Sequence, residues 1–239
     1  MKGVSFSVSR LFDSTVSGRK YHTYDDWGLL LASADVPPAQ PKLSYVDLPG
    51  GHGTLDLSEA YGGLCYKDRE LRFVLYMKPN EGLTDEAYES KKAELLQVLD
   101  GRETYLRLDT DKDFYYRGRC YIDEWTSDKM LRSFEIVAKV KPFRFKCEQT
   151  FVSVNVPTGE NLSVTIQNDG LSVKPMIMAI DGAIIIHMDG EHYGVRQLPD
   201  GAESSTLTLL HNFVLKHGTN EFEIAGSGDV AFVFNERWL

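Results

Sequence analysis

The sequence predicts a mainly β protein with one α-helix, divided into an α+β N-terminal domain and a C-terminal β-sandwich. Most apolar residues stand in short alternating runs separated by turns rich in Gly, Pro and Asp. Only residues 85–100 have helical spacing. The charge also changes along the chain: residues 1–147 hold 22 Lys+Arg and 23 Asp+Glu, whereas residues 148–239 hold 4 and 12. We therefore place the domains at 1–147 and 148–239.

The first elements are strands and extended connections. Four prolines between positions 37 and 49 exclude a long helix there. The run RELRFVLYM, residues 69–77, is rich in aromatic and branched side chains, as strands are. Its alternation predicts one buried face, formed by Leu71, Phe73, Leu75 and Met77.

The helix is predicted from Asp85 to Asp100. Thr84 is the expected N-cap, and Gly101 can take the left-handed position that ends a helix. The residues predicted on its apolar face are Tyr88, Leu95, Leu96 and Leu99. This face predicts a helix that packs on a β-barrel or sandwich.

Three runs after the helix predict an antiparallel meander: residues 102–109, 114–125 and 132–145. The last run has a period of two. Its predicted buried residues are Phe134, Ile136, Ala138 and Val140.

From residue 148 onward the pattern is entirely β. Short runs alternate with turn signals, which include Asn-Asp-Gly at 168–170, Asp-Gly at 189–190 and Gly-Ser-Gly at 226–228. Many short strands with frequent turns predict a β-sandwich or jelly roll.

Composition argues against several classes of function. A net charge of -9 with few cations in the second part opposes sequence-specific nucleic-acid binding. The N-terminus lacks a signal-peptide core, and Asp181 and Gly182 interrupt the most apolar run, so we expect neither an export signal nor a membrane span. The odd, widely spaced Cys65, Cys120 and Cys147 predict buried free thiols in a protein made in a reducing cytoplasm.

The loop PGGHGTLD, residues 49–56, invites a phosphate-binding interpretation. It has no lysine and does not begin a helix, as a Walker loop or a dinucleotide fingerprint requires. The Gly-x-Ser-x-Gly of a nucleophile elbow is absent from the chain. We interpret His52 as an exposed loop residue rather than a catalytic base.

Two further segments suggest metals, and in both the residue pattern favours a turn instead. Asp109, Asp111 and Asp113 match the start of an EF-hand loop, but Phe114 and Cys120 stand where glycine and glutamate are needed. The segment HMDGEH offers His187, Asp189 and His192, but Asp-Gly is the standard two-residue hairpin signal. A turn is favoured in both segments, and we predict no metal, cofactor or catalytic residue.

Aromatic residues of the second part leave one alternative function open, a carbohydrate-binding β-sandwich that contacts a cell surface. More often such residues fill a sandwich core. The residues concerned are Tyr193, Phe213, Phe222, Phe232, Phe234 and Trp238. A glycosidase needs two carboxylates at a set separation in space, and nothing in the sequence selects a pair.

The order of segments over residues 20–147 resembles the distal tail (Dit) proteins of long-tailed bacteriophages and prophages, and the end of the chain is similar to their C-terminal sandwich. The matching residues are Tyr24, Asp26, Trp27 and Gly28 in YDDWGL, Pro49, Gly50, Gly53, Leu55 and Asp56 in the loop, and Tyr66 and Arg69 in YKDR.

The resemblance implies a non-enzymatic virion protein of the tail tip, made in the host cytoplasm. Six copies of the N-terminal domain would form a ring between the tail tube protein and the baseplate hub or tail-associated lysin, in a tail that also holds the tape-measure protein. The C-terminal domain would be galectin-like. Larger relatives insert carbohydrate-binding modules for host attachment, for which this chain has no room.

The glycine loop then becomes a candidate subunit-interface loop. Its predicted residues are Pro49, Gly50, Gly51, Gly53, Leu55 and Asp56. Proline sets a turn and glycine takes conformations barred to other residues, so we expect a hairpin edge offered to a neighbouring subunit.

Overall fold

The structure, a computed structural model, describes residues 3–7, 20–60, 63–78, 84–128, 131–179, 183–196, 207–208 and 212–239. The chain divides into two compact units, residues 1–144 with Leu239, and residues 145–238. Strands dominate both, and the helix at 85–98 is the only one in the described ranges. The predicted mainly β class with a single helix is confirmed.

The first unit holds the elements up to residue 140. They are β1 (Val4–Ser7), β2 (Lys20–His22), β3 (Leu29–Asp35), β4 (Tyr45–Asp47), β5 (Thr54–Asp56), β6 (Arg69–Met77), α1 (Asp85–Val98), β7 (Asp100–Leu108), β8 (Asp111–Asp128) and β9 (Leu131–Val140). The short β10 (Arg144–Lys146) follows, where the chain passes from the first unit to the second.

The main sheet of the first unit runs in the order β2-β1-β7-β8-β9-β6-β3. Its neighbouring strands are antiparallel, so the predicted meander β7-β8-β9 is confirmed. The predicted faces of β6 and β9 point into one apolar core, where Phe73, Phe134 and Ile136 are fully buried. The period-two pattern was enough to predict these buried faces, because one face of each strand packs in the core.

The helix packs on that core with a narrower face than predicted. Tyr88, Leu95 and Leu99 are buried, and Tyr88 stacks on Phe134 at 5.2 Å between ring centroids. Leu96 is 43% exposed, so its placement on the buried face was wrong. Its position lies about 80° around the helix from Tyr88, away from the sheet.

The helix also ends earlier than predicted. Its last residue is Val98, and Leu99 is the C-cap. Gly101 does have a positive φ, 86°, but it lies inside β7, where the pairing with β8 shifts register between Asp100 and Glu103. Its role is therefore in a β-bulge and not in the helix cap.

The second unit is built from strands. They are β11 (Thr150–Val156), β12 (Leu162–Asn168), β13 (Met176–Ala179), β14 (Ala183–Met188), β15 (Glu191–Arg196), β16 (Leu207–Thr208), β17 (Gly218–Phe234) and β18 (Arg237–Trp238). Asp181 and Gly182, which interrupt the apolar run of the sequence, lie outside the described residues.

Strand β17 organises the second unit. Its first half pairs with β12 and β14, and its second half pairs with β11 and β13. The apolar sides of both halves meet in one core, which includes Phe222, Ile224 and Phe232. This is the predicted β-sandwich.

The Gly-Ser-Gly signal at 226–228 was misinterpreted as a turn between two strands. Gly226 and Gly228 have φ of 122° and 115°, and the strand continues through them. At Gly226 a Cβ would lie 2.3 Å from the Ala183 carbonyl oxygen, so only glycine fits. The segment is a kink at which β17 changes from pairing with β12 and β14 to pairing with β11 and β13.

Candidate assembly surface

An arm, formed by residues 36–60 and 63–68, leaves the main sheet of the first unit. It begins after β3 and returns at β6, strands that pair antiparallel with Asp35 opposite Arg72. Within the arm the outgoing and returning segments pair through backbone hydrogen bonds of 2.8 Å, from Lys67 N–H to Gln40 and from Lys42 N–H to Cys65. Further out, β4 and β5 form a separate two-stranded ribbon.

A buried arginine anchors the base of the arm. Arg69 is 7% exposed, and its Nε donates to the Pro37 carbonyl at 2.8 Å. Its Nη1 donates to the Pro142 carbonyl at 3.4 Å, and its guanidinium lies 5.2 Å from the centroid of the Tyr116 ring. Five donors in a planar fork suit this linkage of three segments, so Arg69 fixes where the arm leaves the sheet.

Glycines shape the tip of the arm. Gly51 N–H donates to the Leu48 carbonyl at 3.1 Å, and Gly50 has φ of 76°. With Pro49 before it, this is the arrangement of a type II turn, which requires a positive φ at its third residue. Gly53, with φ of 83°, leads the chain back into β5. The loop thus has the backbone role that the sequence predicts.

The ribbon exposes apolar side chains on both of its faces. Val46 lies opposite Leu55, and Tyr45 lies opposite Asp56 on the other face. The exposed apolar residues of the arm are Leu43, Tyr45, Val46, Leu48, Leu55 and Leu64, at 38–55% exposure. A two-stranded ribbon is only marginally stable by itself in water, and exposed apolar side chains on both of its faces mark a candidate interaction surface.

The six predicted interface residues all lie on this hairpin, with different roles. Pro49, Gly50 and Gly51 are in the tip turn, and Leu55 is exposed on the ribbon. Asp56 accepts from Ser58 N–H at 2.9 Å, and this hydrogen bonding with Ser58 lowers the pKa of the Asp56 carboxyl. Asp56 therefore orders the turn after β5.

Sequence reasoning missed most of the apolar surface of the arm. Leu43, Tyr45, Val46 and Leu48 were not singled out, although all are large and exposed. A usable signal exists: apolar residues fall on both faces of a short hairpin that follows Pro41 and turns at Pro49. In a strand with only one face exposed to solvent, apolar residues would alternate with polar residues.

The carboxylates of residues 109–113 diverge. Asp109 Oδ2 accepts from Gly3 N–H at 2.8 Å and lies 3.0 Å from His22 Nε2. Asp111 Oδ2 accepts from Arg144 Nη1 at 2.6 Å. Both carboxylates therefore tie their hairpin to other segments of the chain.

Asp189 and Gly190 form the predicted two-residue hairpin turn between β14 and β15. Both have positive φ, 54° and 82°, as a type I′ turn requires. Within the described ranges, no three His, Cys, Asp or Glu side chains converge as a metal site. In the same part of the chain, no helix has the length and apolarity needed to cross a bilayer.

Most aromatics of the suggested sugar platform are in the core. Phe213, Phe222, Phe232 and Phe234 are at most 4% exposed, so these four fill the sandwich interior and are excluded from a stacking surface. Tyr193 packs partly buried against the same core. The cysteines are mixed: Cys120 is buried as predicted, but Cys65 is exposed and Cys147 is intermediate, so the prediction of burial was wrong for Cys65.

Residues that carry the distal-tail resemblance are structural anchors. The Trp27 ring stacks between Phe6 and Tyr21, with centroids 5.7 and 5.6 Å away. Gly28 has φ of 66° and turns the chain into β3. Trp27 and Gly28, like Arg69 at the base of the arm, therefore have structural roles in the first unit.

A search of solved structures finds the same fold in a phage protein. The match is the Dit protein of phage SPP1, described as a paradigm of the hub adsorption apparatus in phages that infect Gram-positive bacteria. It has a TM-score of 0.63 and 13% identity, over 88% of this chain and 94% of that chain. The chain has the fold of a distal tail protein.

Two further matches come from structures of the phage p2 baseplate in its activated conformation. The strontium form gives a TM-score of 0.48 and the calcium form 0.47, each at 11% identity. They cover 100% and 99% of this chain, and 98% of each p2 chain. No protein-family model and no curated protein sequence matches the chain.

Proposed function

We propose that this protein is a structural component of a phage tail tip, a homohexameric ring that joins the tail tube to the baseplate hub or tail-associated lysin. The observation that carries the proposal is the distal-tail fold, shared with the SPP1 Dit protein over 88% of this chain. It acts as an adaptor in the virion, and its work is done by interfaces rather than by catalysis.

The arm supports this proposal because a ring needs two different surfaces on each subunit. A closed ring forms when one surface of each copy binds a different surface of the next. The exposed ribbon, with Val46, Leu48 and Leu55 outward, supplies one such surface. We infer that it packs on the neighbouring copy and that its apolar side chains become buried there.

The charge distribution agrees with a conduit rather than a nucleic-acid binder. Residues 1–147, which would form the ring, carry 22 Lys+Arg and 23 Asp+Glu, and residues 148–239 carry 4 and 12. Neither part has the excess of cations that holds a phosphate backbone, so DNA could pass the ring without being bound. The tail tube protein and the hub are the proposed partners at the two ends of the ring.

The decisive experiment measures the mass of the assembly with and without the tip glycines. We expect the full chain, alone at high concentration or with its tube and hub partners, to form a species of six copies in native mass spectrometry. Gly50→Val with Gly53→Val puts branched side chains at positive φ and distorts the ribbon. We expect this variant to stay monomeric while its circular dichroism spectrum remains unchanged.

A matched control distinguishes the effect of changing the tip from the effect of backbone strain elsewhere in the chain. Gly159 and Gly190 also have positive φ, 84° and 82°, with open space around them, but they lie in the second unit. Gly159→Val with Gly190→Val should leave the six-copy species intact. The proposal fails if the wild-type chain remains monomeric and binds neither partner when both are present, since partners stabilise a weak ring by mass action.

A further inference from the structure

Three side chains able to bind a metal lie in one row on the outer face of the second unit. His192 of β15 is directly opposite His187 of β14, and His187 is directly opposite Glu223 of β17. Directly opposed residues of antiparallel strands point to the same face of a sheet. The row is independent of the arm and of the proposed ring.

The two imidazoles already face each other through the same nitrogen. Nδ1 of His187 lies 2.5 Å from Nδ1 of His192, and the ring centroids are 4.6 Å apart at an interplanar angle of 81°. Hydrogen bonds from N–H donors usually measure about 2.7–3.2 Å. Two nitrogens of a tetrahedral zinc site, with Zn–N bonds of about 2.0–2.1 Å, lie about 3.3 Å apart. For both lone pairs to meet on one ion, the two nitrogens would have to separate by about 0.8 Å and both rings would have to turn.

The hairpin holds this pair in register. The turn at Asp189 and Gly190 has the positive φ values of a type I′ turn, which fixes His187 opposite His192. Asp189 does not join them, since its carboxylate accepts from Lys216 Nζ at 2.8 Å. The backbone thus fixes His187 opposite His192. A metal would need to immobilise only the two imidazole rings and one further side chain.

Glu223 is the nearest candidate for a third ligand. Its Cα is paired with that of His187 and its side chain is exposed, so a change of rotamer can direct the carboxylate toward the imidazoles. In the structure the Glu223 carboxylate does not converge with the two imidazoles, in agreement with the lack of a three-residue cluster among the described residues. Water would fill the remaining positions, as at open zinc sites.

We propose that His187 and His192 bind one transition-metal ion of the zinc class through their Nδ1 atoms, with Glu223 as an auxiliary ligand. Imidazole ligands suit Zn²⁺, Ni²⁺ and Cu²⁺, whereas Mg²⁺ and Ca²⁺ take oxygen ligands. The acidic character of residues 148–239 favours a cation. The ion would link β14, β15 and β17.

The test is a calorimetric titration of the untagged full chain with Zn²⁺ at neutral pH. A Cys65→Ser background removes an exposed thiol that could bind zinc by itself. We expect one equivalent to bind, with affinity reduced at least about tenfold by either His187→Gln or His192→Gln. Glu223→Gln should have a smaller effect, and Mg²⁺ should not compete.

His52→Gln is the matched control, because His52 is another exposed histidine, in the arm. It should leave the affinity unchanged. The proposal is overturned if zinc does not bind at millimolar concentration, or if binding survives in both hairpin variants. In that case the two histidines form only a hydrogen-bonded cross-strand pair.

A spectroscopic measurement locates the ion without any substitution. Substoichiometric Cu²⁺ broadens NMR signals of nuclei near its binding site. We expect the amide signals of His187 and His192 to broaden first, and EDTA to restore them. Broadening that begins elsewhere, for example at His52 or His217, would contradict the assignment even if a variant fails to fold.

Discussion

At the residue scale, two strand glycines show how the space around a glycine determines the effect of replacing it. Gly118 lies in β8 opposite Val140, where a Cβ would meet the Lys139 carbonyl oxygen at 2.1 Å and Val140 Cα at 2.5 Å. Gly194 lies in β15, where an added Cβ would have nothing within 4 Å. Both are glycines of a β pattern, and the sequence does not distinguish them.

We expect opposite effects when each is replaced by alanine. Gly118→Ala forces the backbones of β8 and β9 apart and should lower the free energy of unfolding by about 1–3 kcal/mol. Gly194→Ala removes freedom from the unfolded chain without a clash, and should be neutral or raise the free energy by about 0.4–1 kcal/mol. Urea unfolding of both variants measures this. Equal destabilisation would contradict the packing explanation.

The cysteines differ in reactivity for a similar reason. Burial raises the pKa of the Cys120 thiol to about 12, since a thiolate in the core would lose its hydration. Cys65, in the arm, is exposed. The thiolate is the reactive form, so exposure and thiolate fraction together set the rate of alkylation.

We therefore expect iodoacetamide at neutral pH to modify Cys65 in the folded chain and to leave Cys120 unmodified. Peptide mass spectrometry after a timed quench measures both sites. Addition of denaturant is the positive control, because it should make Cys120 react as well. Modification of Cys120 at the rate of Cys65 in native conditions would show that the core opens readily.

At the element scale, the N-terminus of the helix is held by contacts from its own first turn and from a strand. Thr84 Oγ1 accepts from Ala87 N–H at 3.2 Å, and the first turn carries Asp85 and Glu86. The guanidinium of Arg132, buried in β9, donates to Asp85 Oδ1 at 2.6 Å and to the Thr84 carbonyl. The start of α1 is thus fixed both by a cap and by a strand.

Thr84→Ala should lower the free energy of unfolding by about 1 kcal/mol, because it leaves one N–H of the first turn without its acceptor. Thr84→Ser retains the hydroxyl and should be close to wild type. Chemical denaturation monitored by far-UV circular dichroism gives both values. If serine costs as much as alanine, the methyl group and not the cap is responsible.

The elements that sequence predicted best are those whose pattern is local. The N-cap, the run of β6 and the Asp189-Gly190 hairpin turn depend on neighbours in the chain. The predicted burial of Leu96 failed because the sheet contacts a narrower stripe of the helix than the sequence pattern covers. The kink in β17 was missed because a glycine that permits a turn also permits a continuous strand.

At the scale of the whole molecule, each unit has its own apolar core. The core of the first unit includes Phe73 and Phe134, and that of the second includes Phe222 and Phe232. A core of its own is what lets a domain unfold cooperatively as a unit. Both Phe134 and Phe232 are fully buried, so they are matched probes.

We expect calorimetry of the full chain to show two transitions that respond separately. Phe232→Ala should destabilise one transition by about 3–5 kcal/mol and leave the other in place, and Phe134→Ala should do the reverse. A single transition that shifts in both variants would mean that the two cores unfold as one cooperative system.

The amino-acid sequence by itself determined the β class, the single helix with its cap, and the turn chemistry of the glycine loop. These follow from hydrophobic period and backbone preference, which are properties of neighbouring residues. The tertiary structure alone decided that the arm leaves the sheet with apolar side chains exposed on both ribbon faces, and that Arg69 anchors it. It also decided that His187, His192 and Glu223 share a row. Exposure and cross-strand register depend on what packs beside a segment, and residues distant in the chain supply that.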